Sequence, residues 1–221
     1  MSQCPPVVLR VAFDVGNVII INHRRPSDEC IAAVAYVVDM VGPQNAYIVS
    51  KGHHRMQKQT LECLTACDFF TRTGMLPANV MFTLDRSTQE ELSGSLRLHN
   101  LRLVQGATIE GPVCAPAGFG KGALACLFDL HILIDDKAEC LEDFARHSVE
   151  PRPLLLQALF TDEARPSRIA GHIHCRSWST VELHVRSEFL KRRLTSSRRR
   201  QRERELEAEA EPKPKKMPKQ R

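Results

Sequence analysis

The sequence has no Cys-x-x-Cys pair, so the spacing that zinc ribbons and thioredoxin-type redox sites require is missing. Its eight cysteines are spread over 221 residues, too thinly for a disulfide-stapled scaffold. Several lie in apolar runs, where a free thiol packs as a small hydrophobe. A reducing compartment, cytoplasmic or nuclear, is therefore expected. Long hydrophobic runs are also missing, and none approaches the ~20 residues a membrane span needs. The stretch Met1-Ser2-Gln3-Cys4-Pro5-Pro6 has no charged region ahead of an apolar one, so neither a membrane protein nor a secretory leader is expected. The glycine-rich Gly118-Phe119-Gly120-Lys121-Gly122 lacks the Gly-x4-Gly-Lys-Ser/Thr spacing, which excludes a P-loop. Aromatic residues are only 5% of the chain and none follows Phe189, so the C-terminal segment cannot stack on bases.

What is present is globular: 43% of residues are hydrophobic and 26% charged, close to soluble averages. The length suits one domain and a tail, at roughly 100 to 200 residues per domain. The net charge of +5 is unevenly placed. Residues 191–221 hold 13 Lys/Arg and 5 Asp/Glu, so that segment carries +8 and the rest −3. These shifts divide the chain into an α/β domain over 1–194 and a basic low-complexity tail over 195–221.

Val7 to Phe13 is a short, continuous, β-branched run that stops at Asp14-Val15-Gly16-Asn17 and resumes as Val18 to Ile21. Such a run suits a strand buried on both faces of a parallel sheet. Ser27-Asp28-Glu29 can cap a helix in which Ile31, Val34, Ala35, Val38 and Val41 recur at helical spacing, ended by Gly42-Pro43. The same unit recurs along the chain. Ala46–Val49 predicts a strand, 54–67 a helix, Val80–Leu84 a strand, 122–128 a short helix, His131–Ile134 a strand, 137–146 a helix, and Leu154–Phe160 a fifth strand. Val181, Val185, Phe189 and Leu190 predict a terminal helix over 177–194. Alternating strands and helices predict a three-layer α/β/α, Rossmann-like domain with a mainly parallel sheet and a basic, disordered C-terminal tail. Residues 86–120 fit no element. They read as an insertion with a short hairpin near Arg97 to Leu103. In the tail, the Arg and Glu of 198–211 can form a solvated helix, and Pro212 onward should be extended.

In an open parallel sheet, ligands bind beyond the carboxyl ends of the strands. Asp14, Ser50 and the pair Asp135-Asp136 directly follow three different strands and should meet at one edge. Three carboxylates gathered there repel one another unless a divalent cation neutralises them, and an all-oxygen set suits Mg2+ better than zinc. Each motif also has a plainer reading. Asp14-Val15-Gly16-Asn17 can be a polar strand-to-turn junction, Asp135-Asp136 can be helix N-caps, and Ser50 a turn residue. Lys51 competes with Lys121 for any basic role. Two other groupings, His172-His174-Cys175 and Cys63-Cys67, are explained by alternation along a strand or loop and by a helix face.

With those residues in place, the chain resembles the haloacid dehalogenase superfamily of phosphotransferases, as a small member without a large cap. Asp14 to Val18 looks like the first motif of that superfamily, Ser50 the second, Lys121 the third and Asp135-Asp136 the fourth, in order over residues 7 to about 190. Phe69 to Gly74 and Asn79 to Phe82 look like small members of the same group. The resemblance implies a Mg2+-dependent phosphomonoester hydrolase. Asp14 would be the nucleophile and form an aspartyl phosphate. Lys121 would supply a fixed positive charge. Ser50 and Lys51 would contact phosphate, and Mg2+ would be held by Asp14, the Gly16 carbonyl, Asp135 and Asp136.

The sequence departs from that pattern at Gly16, where such phosphatases usually carry an acid for proton transfer. General acid-base help is worth about 10²- to 10⁴-fold, so Gly16 implies a slow phosphatase or a substrate with a good leaving group. The alternative is a non-catalytic binding or scaffold protein of the same fold. Its tail would make weak, non-specific nucleic-acid contact, act as a nuclear address, or only keep the protein in solution. A phosphorylated substrate, of unassigned identity, is the partner expected for the enzyme.

Overall fold

A computed structural model describes residues 8–21, 25–51, 54–83, 102–103, 113–115, 120–122, 124, 128–146, 155–158 and 172–210. Its centre is β1, Val11–Phe13, the apolar run next to Asp14, every residue of which is buried. Seven further strands join it: β2 (Ala46–Lys51), β3 (Val80–Thr83), β4 (Arg102–Leu103), β5 (Val113–Ala115), β6 (Ile132–Ile134), β7 (Leu155–Ala158) and β8 (His172–Cys175). The sheet order is β4-β5-β3-β2-β1-β6-β7-β8, and every pairing is parallel. The chain thus winds outward from β1 through β2 and β3, then returns to the other side of β1 with β6. That reversal opens a crevice at the carboxyl end of β1, the place where parallel sheets bind ligands.

Successive strand residues point to opposite faces, and the core divides accordingly. Val11 and Phe13 join one apolar cluster with helix α1 (Asp28–Val41) and helix α5 (Trp178–Ala210). Ala12 joins another with Val49, Met81 and Leu133 and with Leu141 and Phe144 of helix α4 (Ala138–Arg146). Burying one such large side chain contributes about 1.5–3 kcal/mol, so the short strands are held by packing more than by their own propensity.

Helix α1 forms where the apolar spacing predicts it. Ser27 Oγ accepts the Cys30 N–H at 3.1 Å, and Asp28 and Glu29 lie in the first turn, complementing the helix dipole. Gly42, at φ 88°, ends the helix by donating its N–H to the Val38 carbonyl at 2.8 Å. Helix α2 (His54–Ala66) and the short α3 (Phe69–Thr73) lead into β3.

The structure differs from expectation in several places. Val18 to Ile21 do not extend β1 as a strand: Asn17 takes φ 56°, and the chain folds into a tight turn with a bridge between Gly16 and Ile20. Arg102–Leu103 pairs in parallel with β5, and the rest of the hairpin expected near Arg97 to Leu103 lies outside the described residues. The remainder of the expected insertion lies mostly outside the described residues. The alternation of His172, His174 and Cys175, which reads as strand or loop, is strand β8. The solvated helix expected over 198–211 is present to Ala210, but as an unbroken continuation of α5, with pairs such as Arg199–Glu203, at 2.9 Å, four residues apart. Residues 211–221 lie outside the described residues. Among the described side chains of α5, those of Trp178, Val181, Val185 and Glu188 are buried.

Candidate functional site

Strand register brings the two main carboxylates together. Phe13 is paired with Ile134, so the next residues, Asp14 and Asp135, leave adjacent strands side by side, and the Asp14 N–H donates to the Ile134 carbonyl at 2.8 Å. Asp135 is 0% exposed and Asp14 6% exposed. Between them lies Lys121, 4% exposed, with Nζ at 2.6 Å from Asp14 Oδ1 and 2.5 Å from Asp135 Oδ2. The turn carrying Lys121 is tied to α4, because Gly122 N–H donates to Asp143 Oδ2 at 2.7 Å. This settles the choice between two lysines for the position beside the carboxylates: Lys51 ends β2 in an exposed position.

The second turn of the site is latched to the first. Asn17 Nδ2 donates to Asp136 Oδ2 at 2.9 Å. The Asn17 backbone lies in the left-handed region, which asparagine tolerates better than most residues. Ile20 N–H bonded to the Val15 carbonyl at 2.8 Å and Asn17 N–H bonded to the Ile20 carbonyl at 3.0 Å close the loop. Asp135 is fully engaged, its Oδ1 accepting the Lys137 N–H at 2.9 Å. That bond to a residue two further on is an Asx turn ahead of α4, so a local structural role coexists with the buried ion pair. Asp136 keeps one buried oxygen, Oδ1, with no hydrogen-bond partner.

These carboxylates are electrostatically loaded. Burial pushes the Asp14 carboxyl up to about 6, with Lys121 opposing and Asp135 adding to the rise. Burial pulls the Lys121 ammonium down, but Asp14 and Asp135 more than reverse this, and the net direction is upward. Asp136 is also raised, by burial first, against the stabilising bond from Asn17. If all were ionised, three carboxylates and one ammonium would leave two negative charges in a poorly solvated place, which is costly without compensation. Carboxylate oxygens from Asp14, Asp135 and Asp136 lie within 4.8 Å of one another. The unpartnered Asp136 oxygen, the surplus of two charges and the all-oxygen donors together fit a divalent cation, so this cluster can hold a metal ion.

The cluster opens into a cleft of about 680 Å³. Asp14, Gly16, Ser50, Lys51, Lys121 and Asp136 all line it, and Asp135 lies beneath. The residues singled out in the sequence are thus brought to one place. Others lining the cleft were not expected in the site: Met56, Gln59, Thr60 and Cys63 from α2, Phe82 from β3, and Lys137, Glu139 and Cys140 at the start of α4. A helix facing a cleft and a helix facing solvent have the same polar pattern, which is why α2 gave no warning. Asn17 was visible as part of a turn, but its bond to Asp136 needs the fold to be seen.

Gly16 occupies the cleft wall without being required by the backbone. A Cβ built there would have Asp14 Oδ2 as its nearest neighbour, at 3.9 Å, an ordinary contact. The other groupings remain local. Cys67 Sγ donates to the Cys63 carbonyl at 2.7 Å, Cys175 is buried at the end of β8, and the three aspartates are the one group among the described residues placed so that it could hold a metal ion.

No family model matches the chain, and no curated protein matches it.

Proposed function

We propose that the protein is a Mg2+-dependent phosphohydrolase that removes terminal phosphoryl groups in the manner of a phosphomonoester hydrolase. Its domain would be a three-layer, Rossmann-like α/β/α unit resembling the haloacid dehalogenase superfamily. The observation that carries this reading is the buried bridge of Lys121 between Asp14 and Asp135 at the point where the sheet reverses its winding. Few structural roles call for a buried lysine shared by two strand-end carboxylates beside a third that has an unpartnered oxygen, whereas phosphoryl transfer uses all four groups.

Asp14, Asp135, Asp136 and the Gly16 carbonyl would hold Mg2+. When bound, the ion supplies Lewis-acid neutralisation of the transferring oxygens. The chain's own part is positional. Lys121 fixes the Asp14 carboxylate at 2.6 Å, leaving its other oxygen to attack phosphorus. Because Lys121 is buried and charged, it contributes preorganised positive potential toward the phosphoryl oxygens without reorienting. Ser50 and Lys51, at the end of β2, supply phosphate contacts. Asn17 fixes Asp136. Gly16 provides no proton, so departure of a basic leaving group is slow, by about 10² to 10⁴ relative to an acid-assisted site.

A second reading, a non-catalytic scaffold with a binding tail, is favoured by one feature. Residues 191–202 of α5 carry seven Lys/Arg and no Asp/Glu, beyond the last buried residue, Glu188. That segment suits weak, salt-sensitive contact with nucleic acid in the cytoplasm or nucleus. Mg2+-dependent release of phosphate from p-nitrophenyl phosphate, abolished by Asp14→Asn, supports the enzyme. Correct folding with no turnover supports the scaffold.

A further inference from the structure

We propose that the phosphoryl group removed at this site is carried on a second phosphate, so that the substrate is a phosphoric anhydride and not an alkyl phosphate. The inference rests on the phosphohydrolase reading and names its substrate class. Two observations carry it, the open space over Gly16 and the lysines of the cleft.

The space over Gly16 is real. Among the described residues, no atom beyond its chain neighbours would come closer to a Cβ there than Asp14 Oδ2 at 3.9 Å, so none of their side chains has moved in to replace the missing acid. The other carboxyls lining the cleft have different circumstances. Asp136 is bonded to Asn17 and Glu139 is exposed at the rim. An alkoxide cannot leave readily without a proton, and the absence of an acid costs it about 10² to 10⁴ in rate. A phosphate leaves as a weakly basic anion and needs none. What it does need is a place to put negative charge.

The cleft provides that place. Lys51 ends β2 on one side of β1, and Lys137 precedes α4 on the side of β6. Both are exposed, and both line the same cleft as Asp14. Neither ammonium has an ion-pair partner among the described residues. The Lys137 backbone N–H is bonded to Asp135, and its ammonium acts on Asp136 only through space, so its side chain is available for a ligand. Two such cations against the single rim acid Glu139 suit a leaving phosphate. At about 680 Å³ the cleft has room for a diphosphate together with whatever it is attached to.

The reaction balances without any further reactant than water. An Asp14 carboxylate oxygen bonds to the terminal phosphorus as the bond to the bridging oxygen breaks, and the electron pair leaves on the second phosphate. Water then adds to the phosphorus of the aspartyl phosphate. The carboxylate is released, inorganic phosphate forms, and a proton passes to bulk water. With no base at position 16 to take that proton, the second step is the slower one and the aspartyl phosphate accumulates.

The test uses the full chain with Mg2+ and three substrates: inorganic pyrophosphate, p-nitrophenyl phosphate and glycerol 2-phosphate. Pyrophosphate should exceed glycerol 2-phosphate in kcat/KM by about 100-fold, with an initial burst near one phosphate per chain. Lys137→Gln keeps the backbone bond to Asp135. It should narrow the preference for pyrophosphate over p-nitrophenyl phosphate by about tenfold, as loss of a charged contact does. In a binding experiment independent of turnover, methylenediphosphonate should bind the native protein more tightly than inorganic phosphate, and Lys137→Gln should erase the difference. Equal turnover of glycerol 2-phosphate and pyrophosphate, both lost in Asp14→Asn, would overturn the anhydride assignment and leave the phosphohydrolase reading standing. An unchanged preference in Lys137→Gln would remove the lysine site. Absence of Mg2+-dependent release from all three substrates would overturn both readings.

Discussion

Asn17 and Asp136, 119 residues apart in sequence, are joined by a single hydrogen bond of 2.9 Å that latches the turn after β1 to the turn after β6. It leaves Asp136 Oδ1 buried and unpartnered, within reach of the carboxylates of Asp14 and Asp135. Ligand-orienting partners of this kind are worth about 10- to 100-fold in metal affinity. Asn17→Ala should therefore weaken Mg2+ binding by about tenfold or more, measured by isothermal titration, with an unchanged far-UV spectrum. An unaltered affinity would show that Asp136 needs no such positioning.

Lys121 is the counter-charge on which the metal-free cluster depends. Lys121→Met leaves Asp14 and Asp135 facing each other in a buried place, and removing one partner of a buried pair costs about 3–5 kcal/mol. Urea denaturation without metal should show a loss of that order, partly restored by saturating Mg2+. A variant as stable as the native protein would mean that the bridge is not formed in solution.

The raised pKa of Asp14 gives the pH dependence a definite sign. Its ordinary value is 3.8 and the folded value about 6. The folded state therefore holds a proton over that interval that the unfolded state has released. From this group, stability is fully present below about pH 4 and is lost as pH rises through about 6 in the absence of metal. A bound cation needs the deprotonated carboxylate, so the rise in Tm on adding Mg2+ should be small at pH 5 and full at pH 7.5. A Mg2+ effect that is constant from pH 5 to 8 would place the ion elsewhere.

Much of the fold was legible because β1, β2 and β6 come from short apolar runs that end at polar residues, and because α1 has its caps. Ser27 and Gly42 bound α1 as their chemistry requires. The meeting of Asp14 with Asp135 followed from parallel strands alone. Three things were not legible. Val18 to Ile21 reads as strand by composition, but the preceding Asp14 to Asn17 turn, with Asn17 at φ 56°, redirects the chain. Strand β8 shows in the sequence as an alternation that fits strand or loop equally, and its edge position in the sheet does not show. The lining of the cleft by α2 depends on how that helix packs, and local periodicity does not record it.

Gly16→Asp restores a side chain in a space that accepts one, since the nearest atom to its Cβ is 3.9 Å away. The variant should fold normally and gain activity toward alkyl phosphates, by up to about 10²-fold, with a smaller gain for aryl phosphates. A gain that is equal for both leaving groups would mean that the new carboxyl does not act as an acid.

The claim that Asp14 is the nucleophile is tested most directly by trapping the covalent intermediate. The full chain with Mg2+ is mixed with radiolabelled p-nitrophenyl phosphate or pyrophosphate, quenched in acid within one turnover, reduced with borohydride and mapped by mass spectrometry. The account predicts label on the chain before reduction, conversion of Asp14 to homoserine after it, and neither in Asp14→Asn. Turnover with no label on the chain, or label that persists in Asp14→Asn, would contradict it.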